Sequence, residues 1–384
     1  MKKLITSLCI LGATCTFAQE DLMVKTAIPS EQSYEFSTVI DIEASAVKSQ
    51  GNTGTCWSFS TSSFLESEIF RKSGEFIDIS EMFNVHNTYQ MKAWNYVMRQ
   101  GKLQFSEGGL AHDVMNSIQM HGMVPESAYS GLLSDAKNHD HSKIVPQLQT
   151  VLDAYIKNGK DSKYPDWEKA TDSILDIALG DLPEVFVYNG VNYTPEKFFE
   201  MTEIVVSDYV TLTSFNHVPY NTEFVLNIPD NFSNGSFKNI RLNQLIEATD
   251  EALKNGYTLA LDCDVSETTF SQKHGLAVIP KNLDENERAL AYIVEEAEIT
   301  EDYRQAEFEN YNTTDDHLMH IVGLVKDQNG TEYYKVKNSW GTEGERIGNG
   351  GYVYMSKPFF RLKTISVMVH KDALPEKLKK DLKI

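Results

Sequence analysis

An α+β fold in two lobes is what the sequence predicts, and three observations carry the prediction. From Cys56 to about residue 121 apolar residues recur at helical spacing, beginning with Trp57, Phe64, Leu65, Ile69 and Phe70. Beyond about residue 236 short apolar runs bounded by turn residues take over, the pattern of strands. Between these regions, from about 135 to 235, the composition changes. A chain of 384 residues is long for one core at ~150 residues per domain, so this stretch reads as an insertion between the lobes.

The elements follow in order. Met1-Lys2-Lys3 is basic, Leu4 to Phe17 is mostly apolar, and Thr16-Phe17-Ala18 before Gln19 offers small residues for cleavage. This reads as a secretory signal peptide over residues 1–18, its apolar run shorter than the ~20 residues that span a bilayer. The expected destination is the periplasm or the exterior, with no membrane span. Loss of Lys2 and Lys3 takes the formal charge from −20 to −22. An acidic surface of that size repels nucleic acid and anionic lipid and keeps the chain soluble. Cys9 and Cys15 leave with the signal. Cys56 and Cys263 remain, and a disulfide between them would consume the one cysteine in a reactive setting, so both are expected as free thiols.

Residues 19–37 are polar and aperiodic, an extended lead-in, and the catalytic unit is read over 38–375. Phe36 to Ile42 has strand character, and the turn Gln50-Gly51-Asn52-Thr53-Gly54-Thr55 opens a helix at Cys56. Residues 80–100, 110–121 and 144–179 look helical, and Val185 to Tyr188 with Asn189-Gly190 predicts a hairpin. His139 and His141 sit in a polar loop. Two imidazoles without a third ligand make a solvated loop rather than a metal site. Leu242 to Lys254 predicts a helix ended by Gly256, and Thr258 to Leu261 a strand. His317–Leu324, Tyr333–Lys337, Gly351–Met355 and Thr364–Val369 complete the strands, and residues 376–384 form a short tail.

The chemistry gathers at Cys56. A thiolate is a far better nucleophile than a thiol, and a helix N-terminus stabilises it. The backbone N–H of Cys56 can face a developing oxyanion, and the Gln50 side-chain amide can donate to the same oxygen. A base comes from Asp316-His317-Leu318-Met319-His320. Strand residues alternate faces, so only one of His317 and His320 can meet Cys56. In Asn338-Ser339-Trp340-Gly341 the Asn can hold the imidazole's second nitrogen, and Trp340 can shield that bond from water. This is a Cys-His-Asn arrangement, and it calls for no metal and no cofactor.

Gln50, Gly54-x-Cys56-Trp57, the pair Gly108-Gly109, Asp316-His317 with Gly323 six residues on, and Asn338-Ser339-Trp340-Gly341 fall in an order that resembles the papain superfamily of cysteine peptidases. His317-Leu318-Met319, the run Tyr257 to Val265, Tyr193 to Phe199 and Leu242 to Gly256 are more closely similar to the bleomycin hydrolase and aminopeptidase C branch. The likeness covers most of residues 40–375. It implies a papain-like fold of a helical lobe and a β-barrel-like lobe with an insertion, and it favours His317 over His320 as base. It implies peptide or protein substrates cleaved from their N-termini, a substrate backbone lying close along Gly108 and Gly109, and a ring-like homo-oligomer.

Two departures matter. Thr53 stands where secreted relatives carry a disulfide cysteine, which supports free thiols. The branch closes one end of its cleft with a C-terminal arm whose carboxylate pairs with the substrate amine. Here nine residues follow Pro375, about 14 Å as a helix at 1.5 Å per residue. They include Lys377, Lys379, Lys380 and Lys383. The expectation is a cleft open at both ends that accepts some N-terminally blocked peptides, the mark of an endopeptidase. An inactive peptide-binding protein on the same fold is the rival from another class.

Overall fold

The structure, a computed structural model, describes residues 32–133, 136–159 and 166–384. The expected signal peptide and most of the expected lead-in lie outside them. Strand β1 (Ser37–Asp41) is followed by the turn at 50–55 and by helix α1 (Cys56–Ser73). Helix α1 is buried along most of its length, and its Ser58, Ser60, Thr61, Ser62 and Ser63 let neighbours approach closely. It stops at Gly74, whose φ of 77° lets its N–H reach back to the Phe70 carbonyl. Helix α2 (Glu81–Met98) is capped by the Ser80 hydroxyl, which accepts the Phe83 N–H. Helix α3 (Ala111–His121) starts where Asp113 accepts the Leu110 N–H at 2.9 Å.

Of the stretch expected to be helical over 144–179, the described residues form α4 (Ile144–Asn158) and α5 (Trp167–Leu179), and residues 160–165 lie outside them. The hairpin forms as β2 (Phe186–Tyr188) and β3 (Val191–Tyr193), with Asn189 and Gly190 both at positive φ. Thr194 caps α6 (Pro195–Met201), with Pro at its first position.

Strands β4 (Tyr209–Thr213), β5 (Thr222–Val225) and β6 (Ser236–Asn239) follow. They carry no strong alternation, and the first two fall in the stretch read as an insertion. Helix α7 (Leu242–Lys254) and β7 (Leu259–Cys263) lie at or within a residue or two of their expected bounds. Next come β8 (Phe270–Ser271), β9 (Leu276–Ala277), α8 (Asn286–Ala289) and α9 (Glu301–Glu309). The last group is β10 (His317–Lys326), β11 (Glu332–Lys337), β12 (Tyr352–Ser356), α10 (Lys357–Lys363), β13 (Thr364–His370) and α11 (Glu376–Leu382).

Eleven strands make one sheet in the order β5-β6-β4-β13-β7-β10-β11-β12-β9-β8, with β1 added to β10. The β-barrel-like second lobe that the resemblance implied is not borne out by a closed barrel. Among the described residues the path is open, its end strands β5 and β8 unpaired with each other. β4 to β6 extend it past β13, where a barrel would turn back.

Strand β10 is the spine. Its residues 317–321 pair with β7, and its residues 323–326 pair with β1. Gly323 lets β1 approach, since a Cβ there would collide with the Ile40 carbonyl. Leu318 packs toward α1 and the other N-terminal helices, whereas Met319 and Ile321 face a second core with Leu245, Ala248 and Phe360. The alternation of β10 thus divides the interior into two apolar clusters. The tail joins the second one through Leu378 and Leu382.

Candidate active site

The turn before Cys56 is built from both sides. Gln50 N–H donates to the Ser339 carbonyl at 2.8 Å, and Asn52 N–H to that of His139 at 2.9 Å. Gly51 has φ of 65°, and a Cβ there would strike the His139 carbonyl. The loop expected to be solvated is therefore a clamp on the turn. His141 is buried, with Tyr89 Oη 3.1 Å from its Nδ1. Burial pushes the pKa of both His139 and His141 down to about 4.

Cys56 is the first residue of α1 and is 7% exposed. Its Sγ accepts the Leu318 N–H at 3.5 Å, so the start of β10 crosses the start of the helix. His317, the residue before, is buried. Its Nε2 lies 2.7 Å from Asn338 Oδ1. That oxygen also accepts the Ser339 N–H at 2.7 Å, while Asn338 Nδ2 donates to Gln272 Oε1 at 2.7 Å. The Gln272 contact sets the Asn338 amide with its oxygen toward the imidazole. Nε2 then carries the proton, and Nδ1 is the basic nitrogen. Trp340 lies tilted against the imidazole, the ring centroids 4.9 Å apart at 35°, with Phe270 edge-on to Trp340 at 6.1 Å.

Gln50 is fixed at both ends. Its Oε1 accepts from Ser339 Oγ and its Nε2 donates to the Thr53 carbonyl, both at 2.6 Å. One of the two N–H bonds of that nitrogen is left for another acceptor. Gln50, Cys56, Gly108, His317 and Trp340 line one cleft. The glycine pair is split: Gly108 faces the cleft, and Gly109 is buried behind it, 3.1 Å from the Trp57 ring measured from an ideal Cβ. Trp57 Nε1 donates to the Glu107 carbonyl at 3.0 Å, and Glu107 Oε2 accepts the Gly54 N–H at 2.5 Å, so the two walls are tied together.

His320 points the other way. It is fully buried against α1, with Nδ1 2.9 Å from Ser63 Oγ, which also accepts from Lys337 at 2.7 Å. Cys263 pairs across the sheet with His317, and both thiols are free.

The electrostatics differ from the sequence expectation. Burial pushes the Cys56 thiol up to about 12, opposed by the Leu318 N–H and reinforced by Asp230, Asp315 and Asp262. Burial pushes His317 down to about 4. A helix N-terminus favours a thiolate by a modest amount, whereas removal of water penalises it by more. Both shifts run toward the uncharged thiol and the uncharged imidazole.

Sequence reasoning missed Gln272 and Asp230. Gln272 sits on a short turn after β8, and Asp230 lies between β5 and β6; neither belongs to a motif. Only pairing across the sheet brings Gln272 to Asn338.

The Peptidase C1-like family model matches residues 100–384, a range that begins after Cys56. Aminopeptidase C of Listeria innocua serovar 6a is 22% identical over 382 residues, covering 88% of this chain and 83% of that protein. Bleomycin hydrolase of Rattus norvegicus is 22% identical over 407 residues, covering 93% and 87%. The crystal structure of PepW from Lactobacillus rhamnosis superposes with a TM-score of 0.70 at 18% identity, covering 90% of this chain and 84% of that one, and it speaks to the fold alone. With the family model spanning most of the chain, this protein belongs to the Peptidase C1-like family and is a cysteine peptidase of the papain superfamily, in the branch of aminopeptidase C and bleomycin hydrolase.

Proposed function

We propose that the chain hydrolyses peptide bonds through Cys56, His317 and Asn338, and that it removes residues from free N-termini. The observation that carries the catalytic part is the meeting of the helix α1 start with the β10 start, where Leu318 N–H reaches Cys56 Sγ and His317 is held by Asn338. The names of the relatives support the aminopeptidase part. In this mechanism His317 Nδ1 takes the thiol proton as sulfur attacks the carbonyl. The Cys56 N–H and the free Gln50 N–H stabilise the oxyanion, and the imidazolium protonates the leaving amine. Water, activated by the same imidazole, then hydrolyses the thioester. We read the framework as the papain-like two-lobed fold, with about 135–235 as its insertion. Residues 1–18 support export, and the family resemblance supports assembly of several copies.

The test is labelling with a thiol-reactive peptide epoxide followed by peptide mapping. The adduct is expected on Cys56 alone, and labelling of Cys263 with Cys56 unmodified would sink the assignment.

A second reading, an endopeptidase, is favoured by one observation. Leu378 and Leu382 hold the tail in the second core, and no tail residue lines the cleft. Hydrolysis of one peptide with a free and an acetylated N-terminus decides between them. An aminopeptidase favours the free form at least tenfold, and an endopeptidase takes both equally.

The pH profile follows from His317. Its value of about 4 lies below the ordinary 6.5, so the imidazole stays a competent base down to about pH 4. The acid limb of kcat/KM is expected near pH 4, and a limb at pH 6 to 7 would overturn the assignment. The sign for stability is the same. The unfolded chain takes up this proton first, so the contribution of His317 to stability is present above pH 6.5 and is lost as pH falls toward 4.

A further inference from the structure

An enzyme that works from a free N-terminus must hold an ammonium group, and inside a cleft that cation needs a counter-charge to offset its lost hydration. Among the described residues two carboxylates line the cleft, Asp230 and Asp316. Asp316 is exposed and accepts the Thr314 hydroxyl at 2.6 Å. Asp230 is half-buried and lies directly on Gly108, where even a methyl group would collide with its carboxylate.

The position of Asp230 is built. Its Oδ1 accepts from Ser106 Oγ at 3.3 Å, and its backbone N–H donates to Asp315 Oδ2 at 3.3 Å. Behind the strip, the buried Lys92 ammonium donates to the carbonyls of Ser106 and Gly108 and sits 5.1 Å from the Phe232 ring centroid. That cation pins the Ser106–Gly108 backbone in place and makes no hydrogen bond to Asp230. One hydrogen bond from Ser106 leaves the Asp230 carboxylate, which lines the cleft, with unused acceptor sites. Burial raises its pKa and Lys92 opposes the rise, and an arriving cation favours the charged form further.

Sterics point the same way. A chain running along the Gly108 strip meets the carboxylate, and a blocked N-terminus brings an amide in place of a cation to it. We infer that Asp230 receives the α-ammonium of the substrate and closes the cleft along the Gly108 strip to blocked or longer chains. This rests on the aminopeptidase reading, and it assigns to a side chain the counter-charge that the tail, packed in the second core, does not bring to the cleft.

The experiment compares one peptide, with free and acetylated N-terminus, on the full-length enzyme and on Asp230→Asn, Asp230→Ala, Asp230→Glu and Asp316→Asn. Rates are normalised to the sites titrated by the peptide epoxide, so misfolded protein does not count. Asp230→Asn removes charge and keeps bulk. It is expected to lower the free-to-acetylated ratio of kcat/KM at least tenfold, mainly through KM for the free peptide. Asp230→Ala also removes bulk, and it is expected to lower the ratio further by a gain on the acetylated peptide. Asp230→Glu keeps the charge and is expected to keep the preference. A wild-type preference that survives in Asp230→Asn overturns the inference and leaves the aminopeptidase reading standing. A tenfold loss in Asp316→Asn alone overturns it in favour of that residue. A wild-type enzyme without preference overturns both.

Discussion

Cys56→Ala is expected to reduce peptide hydrolysis by ~10⁴-fold or more while the fold persists. In the proposed mechanism the thiol sulfur forms the acyl intermediate, and no other thiol lines the cleft among the described residues. The remaining oxyanion donors can still bind a substrate but cannot form a bond to it. The fold persists because alanine is the best helix former and loses only one buried sulfur at the first position of α1. The stability cost is about 1 kcal/mol. The measurement is kcat on a fluorogenic peptide beside a thermal melt. Residual activity above roughly one per cent in a folded, uncontaminated variant would remove Cys56 from the nucleophile role, given the size of the losses such nucleophiles show.

His317→Ala carries the second largest effect, a loss of ~10²- to 10⁴-fold, the range for a general base. Because burial favours the protonated thiol, the loss is expected in kcat as well as in kcat/KM: without His317 no group takes that proton in the proposed mechanism. Raising the pH should restore part of the rate, as hydroxide replaces the base. His320→Ala is the comparator. It leaves a cavity at a fully buried site and removes a partner of Ser63, so it is expected to cost about 2–3 kcal/mol in stability. The folded fraction should retain most of its turnover. Full loss of turnover in folded His320→Ala, with His317→Ala active, would reverse the assignment.

The candidate site could be proposed from the sequence wherever its geometry is local. The helix opening at Cys56 follows from a glycine-bearing turn and an apolar period, and the opposite facing of His317 and His320 follows from strand geometry. Helix α7, the hairpin at Asn189-Gly190 and strands β10 to β13 were legible for the same reason: periodicity and turn residues act over a few positions. Short strands β4 to β6 carried too little pattern of their own, and the sheet recruits them by pairing; helix α9 is held by tertiary contacts, its buried Arg304 donating to the carbonyls of Ser214 and Arg361.

What only the tertiary structure decided is everything that depends on desolvation or on residues distant in sequence. The open course of the sheet is set by which edges remain free after β13 pairs with β4. The shifts of Cys56 and His317 toward their uncharged forms are set by how deeply the packing buries them, a quantity no local pattern encodes. Gln272 orients Asn338 from 66 residues away, and Asp230 reaches Gly108 across a still longer separation. The sequence by itself determined which groups could react and on which elements they stand. The packing of those elements decided which groups meet, which are dry, and therefore which charges they carry.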